Sequence, residues 1–144
     1  MDCIIDASVG VKTIIREQWT ENAEAVLAGL RRDRPALVLV PDLFYAECGN
    51  VVWKQSRRHG FATTTAREGL WDLVLLPLAR VPTQLLLPNA MRWALERDIT
   101  VYDAAYVALA ELADLPLITA DEWLVRKLEG SGIDVVPLAD IGRV

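Results

Sequence analysis

Short β-branched runs alternate with longer stretches of helical character along the whole chain, and this constrains the fold more than any other feature. Parallel strands need a crossover between them, usually a helix, so the alternation predicts a parallel sheet covered by helices. Cys3–Ile5 reads as the first strand, and Ser8 can cap a helix running to about residue 17. Thr20 can cap a second helix over 21–30, before a near-continuous apolar second strand at 36–40. Pro41 and Asp42 open a helix, with Asp42 as its cap, that runs to His59 and is closed by Gly60. A helix from residues 63–65 to about 76 leads to a third strand at 78–81. Pro82 and Thr83 then start a helix ending near Arg97. Thr100 caps Val101–Ala113, a helix rich in small residues, and a fourth strand follows at 115–119. A last helix from Thr119 or Ala120 to Glu129, a turn at 130–132 and a fifth strand at 133–136 complete the reading. The expected architecture is α/β, a three-layer arrangement around a central parallel sheet of about five strands. Residues 1–144 form one domain in this reading, since no repeat, linker or low-complexity tract divides them.

Four carboxylates recur at strand ends or on the helices behind them: Asp6, Glu47, Asp103 and Asp121. Open parallel sheets bind ligands beyond the carboxyl ends of their strands. Acids gathered there repel one another unless a positive species lies between them, and a divalent metal with oxygen ligands is the natural candidate. Each acid also has a purely structural reading. Asp6 or Ser8 can simply cap the next helix. Thr100-x-x-Asp103 resembles a capping box, and Thr119-x-x-Glu122 is one, which leaves Asp121 over. Glu47, Asn50, Lys54 and Arg58 share one helical stripe. It offers a carboxylate, an amide able to orient it, and two cations for a phosphate backbone, or else a plain solvated face. The tryptophans at apolar helical positions, Trp53, Trp71 and Trp93, read as core or dimer contacts.

Composition narrows the function. A net charge of −5 argues against broad coating of nucleic acid. Setting aside the four suspected ligands, which carry −4, leaves only −1 for the rest. Basic residues are bunched at Arg31, Arg32 and Arg34 and again at Lys54, Arg57 and Arg58, so a short single-stranded or looped substrate remains compatible. Cys3 and Cys48 suit neither a disulfide framework nor a zinc site, and the lone His59 supports no histidine-based centre. The apolar run at 73–78 is cut by Pro77 and the one at 37–40 ends at Pro41, so neither reaches the roughly 18 residues of a membrane span. A first strand beginning at once after Met1 leaves no room for a signal peptide, and the expected compartment is the cytoplasm.

Ile5-Asp6-Ala7-Ser8, Glu47-x-x-Asn50-x-x-Trp53, Tyr102-Asp103-Ala104-Ala105-Tyr106 and Thr119-Ala120-Asp121-x-x-Leu124 together closely resemble the PIN domain. More narrowly, they resemble the VapC toxins of type II toxin–antitoxin modules, over essentially the whole chain. The resemblance implies an endoribonuclease dependent on Mg2+, with Mn2+ as a substitute. By motif position Asp6, Glu47, Asp103 and Asp121 match the catalytic, metal-binding quartet, and Ser8, Asn50 and Thr119 match supporting polar positions. It also implies a homodimer and silencing by a small VapB-type antitoxin, whose C-terminal segment wraps the toxin and brings a basic side chain near the acids. DNA would be reached only through that partner. Metal-assisted hydrolysis would expel a 3′ oxygen and leave 3′-hydroxyl and 5′-phosphate ends, with no 2′-hydroxyl or histidine taking part.

Other magnesium-using sheets fit less well. A haloacid-dehalogenase-like phosphatase wants a second Asp two residues after the first, where this chain has Ser8. A receiver domain wants a lysine after a late strand, and Thr119-Ala120-Asp121 has none. The non-enzymatic alternative is a PIN-like module that binds RNA or a partner without cutting.

Overall fold

The computed structural model describes residues 1–142. β1 (Cys3–Ile5) runs into a short helix, α1 (Ala7–Gly10), and a 3-10 turn at Val11–Thr13. Then follow α2 (Thr20–Ala28), β2 (Val38–Pro41), α3 (Leu43–His59), α4 (Thr63–Leu75) and β3 (Ala79–Val81). The second half comprises α5 (Thr83–Arg97), α6 (Val101–Ala113), β4 (Leu117–Thr119), α7 (Glu122–Lys127) and β5 (Val135–Pro137), with a 3-10 turn at Leu138–Asp140.

All strand pairs are parallel, in the order β3-β2-β1-β4-β5. The chain builds outward from β1 through β2 to β3, then returns to the other flank of β1 for β4 and β5. Right-handed crossovers put the helices of the outward leg on one face and α5 and α6 of the return leg on the other, giving an α/β/α sandwich. The order reverses between β1 and β4. The crevice at a reversal opens at the strands' carboxyl ends, where Ile5 and Ile118 stand side by side.

The central strands are buried on both faces, as Cys3, Ile4, Ile5, Leu117 and Ile118 show with no exposed surface. Ala104, Ala105, Ala108 and Ala110 let α6 lie close across β1, β2 and β4 while it packs on α5. On the opposite face α1 meets α3 at Gly10, where an added Cβ would lie 2.5 Å from Phe44 Cζ and 3.0 Å from Cys48 Sγ. Cys3 and Cys48 are buried free thiols. Burial pushes the Cys3 thiol up to about 11, and burial with the nearby Asp6 and Glu47 charges pushes Cys48 higher still. Among the described residues, no helix is long and apolar enough to cross a membrane.

Several local expectations are corrected. The helix expected from Ser8 to residue 17 ends at Gly10, with a 3-10 turn to Thr13, because Ile14 and Ile15 both turn into the core. Its cap is Asp6, whose carboxylate accepts from Val9 N at 3.3 Å. Asp42 stands at the N-cap position of α3, as expected, but its side chain makes no capping bond to the helix. Its carboxylate accepts from Thr83 N at 2.9 Å and from the Thr83 hydroxyl, joining the β2 and β3 exits. Thr20 is helical and closes a turn on Glu17 rather than capping α2. Thr119 does not cap the last helix either: it ends β4 fully buried, and Asp121 caps α7. Trp93 belongs to the core, whereas Trp53 and Trp71 are exposed.

Candidate active site

Asp6 leaves β1 with 6% of its surface exposed and is held on both carboxylate oxygens. Oδ1 accepts from the Ser8 hydroxyl and Val9 N, and Oδ2 accepts from the Thr119 hydroxyl. Ser8 Oγ in turn accepts from Ala120 N at 2.9 Å, and Thr119 Oγ1 accepts from Asp121 N at 3.0 Å. These bonds lace the ends of β1 and β4 together across the crevice. Burial raises the Asp6 pKa to about 6; the Ser8, Thr119 and Val9 hydrogen bonds oppose the shift, and the Asp103 charge adds to it.

Glu47 enters from α3, half-buried, and Tyr106 on α6 donates its phenol to Glu47 Oε1 at 2.7 Å. Burial lifts the Glu47 pKa and the Asp103 charge lifts it further, against the Tyr106 bond. Asp103 stands in the first turn of α6, where its N–H donates to Thr100 Oγ1 at 3.1 Å, so half of the anticipated capping box forms. Its own pKa rises through burial and then the charge of Asp121, and the Thr100 hydroxyl opposes this. Asp121 accepts from Trp123 N at 2.9 Å and Leu124 N at 3.3 Å, both through Oδ1.

All four acids line one open cavity of about 420 Å³, together with Ser8, Lys12, Glu17, Val51, Tyr106 and Ala120. Asp103 is the electrostatic hub, since its field reaches both Asp6 and Glu47 and it feels that of Asp121. Among the described residues, no three acidic, histidine or cysteine side chains converge into a ready-made metal cage.

Thr119 lies fully buried behind Asp6 rather than on the cavity wall, and Asn50, Lys54 and Arg58 also fall outside the lining. Asn50 is exposed, and the cavity wall at that turn of α3 is Val51, so Tyr106 takes the orienting role expected of the amide. Lys54 and Arg58 are exposed further along α3, beyond the cavity lining. Sequence reasoning missed Tyr106, Lys12 and Glu17. Tyr106 lies one helical turn after Asp103 and Lys12 one turn after Ser8, and that spacing was the available signal.

The PIN domain family model matches residues 3–128, a stretch holding all four acids. Ribonuclease VapC3 of Pyrobaculum aerophilum is 32% identical over 130 residues, 88% of this chain and 95% of that protein. Exonuclease VapC9 of the same organism is 36% identical over 92 residues, 64% of this chain and 67% of that protein. The crystal structure of PAE2754 from Pyrobaculum aerophilum superposes with a TM-score of 0.68 at 25% identity, covering 96% of this chain and 92% of that one. Strand order, acid placement and these similarities agree, and the chain belongs to the PIN-domain family, among its VapC-type proteins.

Proposed function

We propose that this chain, acting as a single PIN domain over residues 1–144, is a metal-dependent endoribonuclease toxin of the cytoplasm. In this reading it hydrolyses RNA phosphodiesters to 3′-hydroxyl and 5′-phosphate ends. A VapB-type antitoxin silences it, it works as a homodimer, and it meets DNA only through that antitoxin. The observation that carries the activity is the meeting of four acids, distant in sequence, in one cavity at the sheet's reversal point.

The donor set suits a hard divalent cation, because every candidate ligand is oxygen. Asp6, Glu47, Asp103 and Asp121 would hold Mg2+ or Mn2+, with Ser8 and Thr119 steadying Asp6. Magnesium keeps several waters when bound and needs few carboxylates. When bound, such an ion supplies Lewis acidity toward the phosphoryl oxygen and a nucleophilic water near neutral pH.

The protein's own residues fix geometry and receive protons. Ser8, Thr119 and Val9 N lock the Asp6 carboxylate, and Tyr106 fixes one oxygen of Glu47. Glu47 and Asp103 face the groove as carboxylates able to accept the proton of the attacking water. In-line attack then expels the 3′ oxygen without the 2′-hydroxyl. The relative named as an exonuclease favours a second reading, removal of nucleotides from an end.

Circular RNA separates the two, since only an endonuclease opens it. Purified protein in Mg2+ is expected to linearise a circular RNA, to stop in EDTA, and to slow about 100-fold or more on Asp103→Asn. Cleavage of linear RNA alone would establish the exonuclease reading. RNA binding with no ion-dependent cleavage would leave a non-catalytic PIN-like binding module.

A further inference from the structure

We infer that Lys12 is the cation that anchors an RNA phosphate in the acidic groove, with Glu17 holding its ammonium in place. The inference rests on the ribonuclease reading and names a residue for substrate capture. Lys12 is 6% exposed, yet it lines the cavity of the four acids and is the one basic side chain to do so among the described residues. The other ionisable walls are the acids Asp6, Glu17, Glu47, Asp103 and Asp121 and the phenol of Tyr106. Each nucleotide of an RNA strand brings another negative charge into this groove. A fixed cation is therefore the one protein group there that attracts the backbone.

The geometry of Lys12 suits that task. Its ion pair, 2.8 Å long, is with Glu17 and with none of the four acids, so it does not act as their internal counter-ion. An ammonium carries three donors and Glu17 takes one. Glu17 has 47% of its side chain exposed, whereas Lys12 has 7%. Burying an ammonium against a solvated carboxylate is poor stabilisation, and an apolar residue would fill the same space more cheaply. Both partners are held from behind. Lys12 lies in a 3-10 turn directly after buried Val11, and Glu17 exchanges bonds of 3.0 and 2.9 Å with Thr20 Oγ1. The position is thus set before substrate arrives, which reduces the ordering needed on binding.

Lys12→Met keeps the stem and removes the charge; Lys12→Gln also keeps a hydrogen bond to Glu17. Binding of a short single-stranded RNA is measured in Ca2+ over a salt series, and kcat and KM in Mg2+. Loss of one charge-assisted contact is expected to weaken binding about tenfold, with KM rising far more than kcat falls. The salt dependence should flatten by about 0.7 in log–log slope, and Lys12→Arg should restore most of both. A methylphosphonate scan of the RNA should find one phosphate whose neutralisation harms wild type but not Lys12→Met.

If neither neutral variant folds, the wild-type 15Nζ resonance of Lys12, assigned by its loss in Lys12→Arg, carries the test and shifts on titration with the RNA. Folded neutral variants with unchanged affinity and salt slope, or an unmoved Nζ resonance, overturn the assignment. Wild-type protein that neither binds nor cleaves RNA would instead remove the ribonuclease reading itself.

Discussion

Asp6 caps α1 and also keeps a carboxylate in the interior, and the second role has a thermodynamic consequence. Its folded pKa of about 6 lies above the ordinary 3.8. Between those values the folded, metal-free protein binds more protons than the unfolded chain, so stability falls as pH rises. The penalty is absent below the unfolded pKa and complete above about pH 6. Asp6→Asn is therefore expected to stabilise the metal-free protein at pH 7.5 by on the order of 1–3 kcal/mol, while abolishing cleavage. At pH 3.5 the gain should vanish. Urea denaturation in EDTA at the two pH values checks this, and an equal difference at both would refute the charge-burial account. The strand-end acids were legible because Asp6 and Asp121 follow short apolar runs. For Tyr106 the spacing from Asp103 marks a shared helix face, but not the bond to Glu47, which lies 59 positions away.

At the scale of elements, the approach of α1 to α3 places Ser8 and the Asp6 cap over the sheet. Gly10→Ala would favour a helix by up to about 1 kcal/mol in the abstract. Here the added Cβ would lie within 2.7 Å of two ring atoms of Phe44, which is fully buried and has little room to yield. Overpacking of this kind outweighs propensity, and a net loss of about 1–3 kcal/mol is expected by denaturant titration, with slower cleavage as α1 shifts. Unchanged stability would mean that the Phe44 ring moves freely. Helix α6 was legible from its Thr100 cap, and α3 from its periodicity and the Gly60 that closes it. The α1 segment was misread because Val9, Val11, Ile14 and Ile15 mimic an apolar helical face. Neighbouring Ile14 and Ile15 are in fact both buried, so the chain is already turning inward there. Likewise the Asp42–Thr83 tie spans 41 positions and competes with a cap that looks sufficient locally.

For the molecule as a whole, alternation of strand and helix announced the parallel sheet but not its order. The reversal beside β1 depends on a crossover from β3 to β4 that no local signal encodes. With a net charge of −5, the chain must draw RNA by local rather than global attraction. Lys54 and Arg58 are exposed on α3 outside the cavity lining, and we propose that they continue the backbone contact. Replacing both with Ala is expected to weaken RNA affinity and flatten its salt dependence by about 1.4 in log–log slope, since each single-strand contact contributes about 0.7. An unaltered slope would return that stripe to plain solvation.

The two buried sulfhydryls, one on β1 and one on α3, carry a practical corollary. Cys3 and Cys48 are the only cysteines of the chain, both sealed and both hard to ionise. Alkylating dyes should find no target in the native protein, and the rate at which they do will clock its spontaneous opening. A cysteine engineered onto the surface would then take a fluorophore selectively, without first removing the native pair.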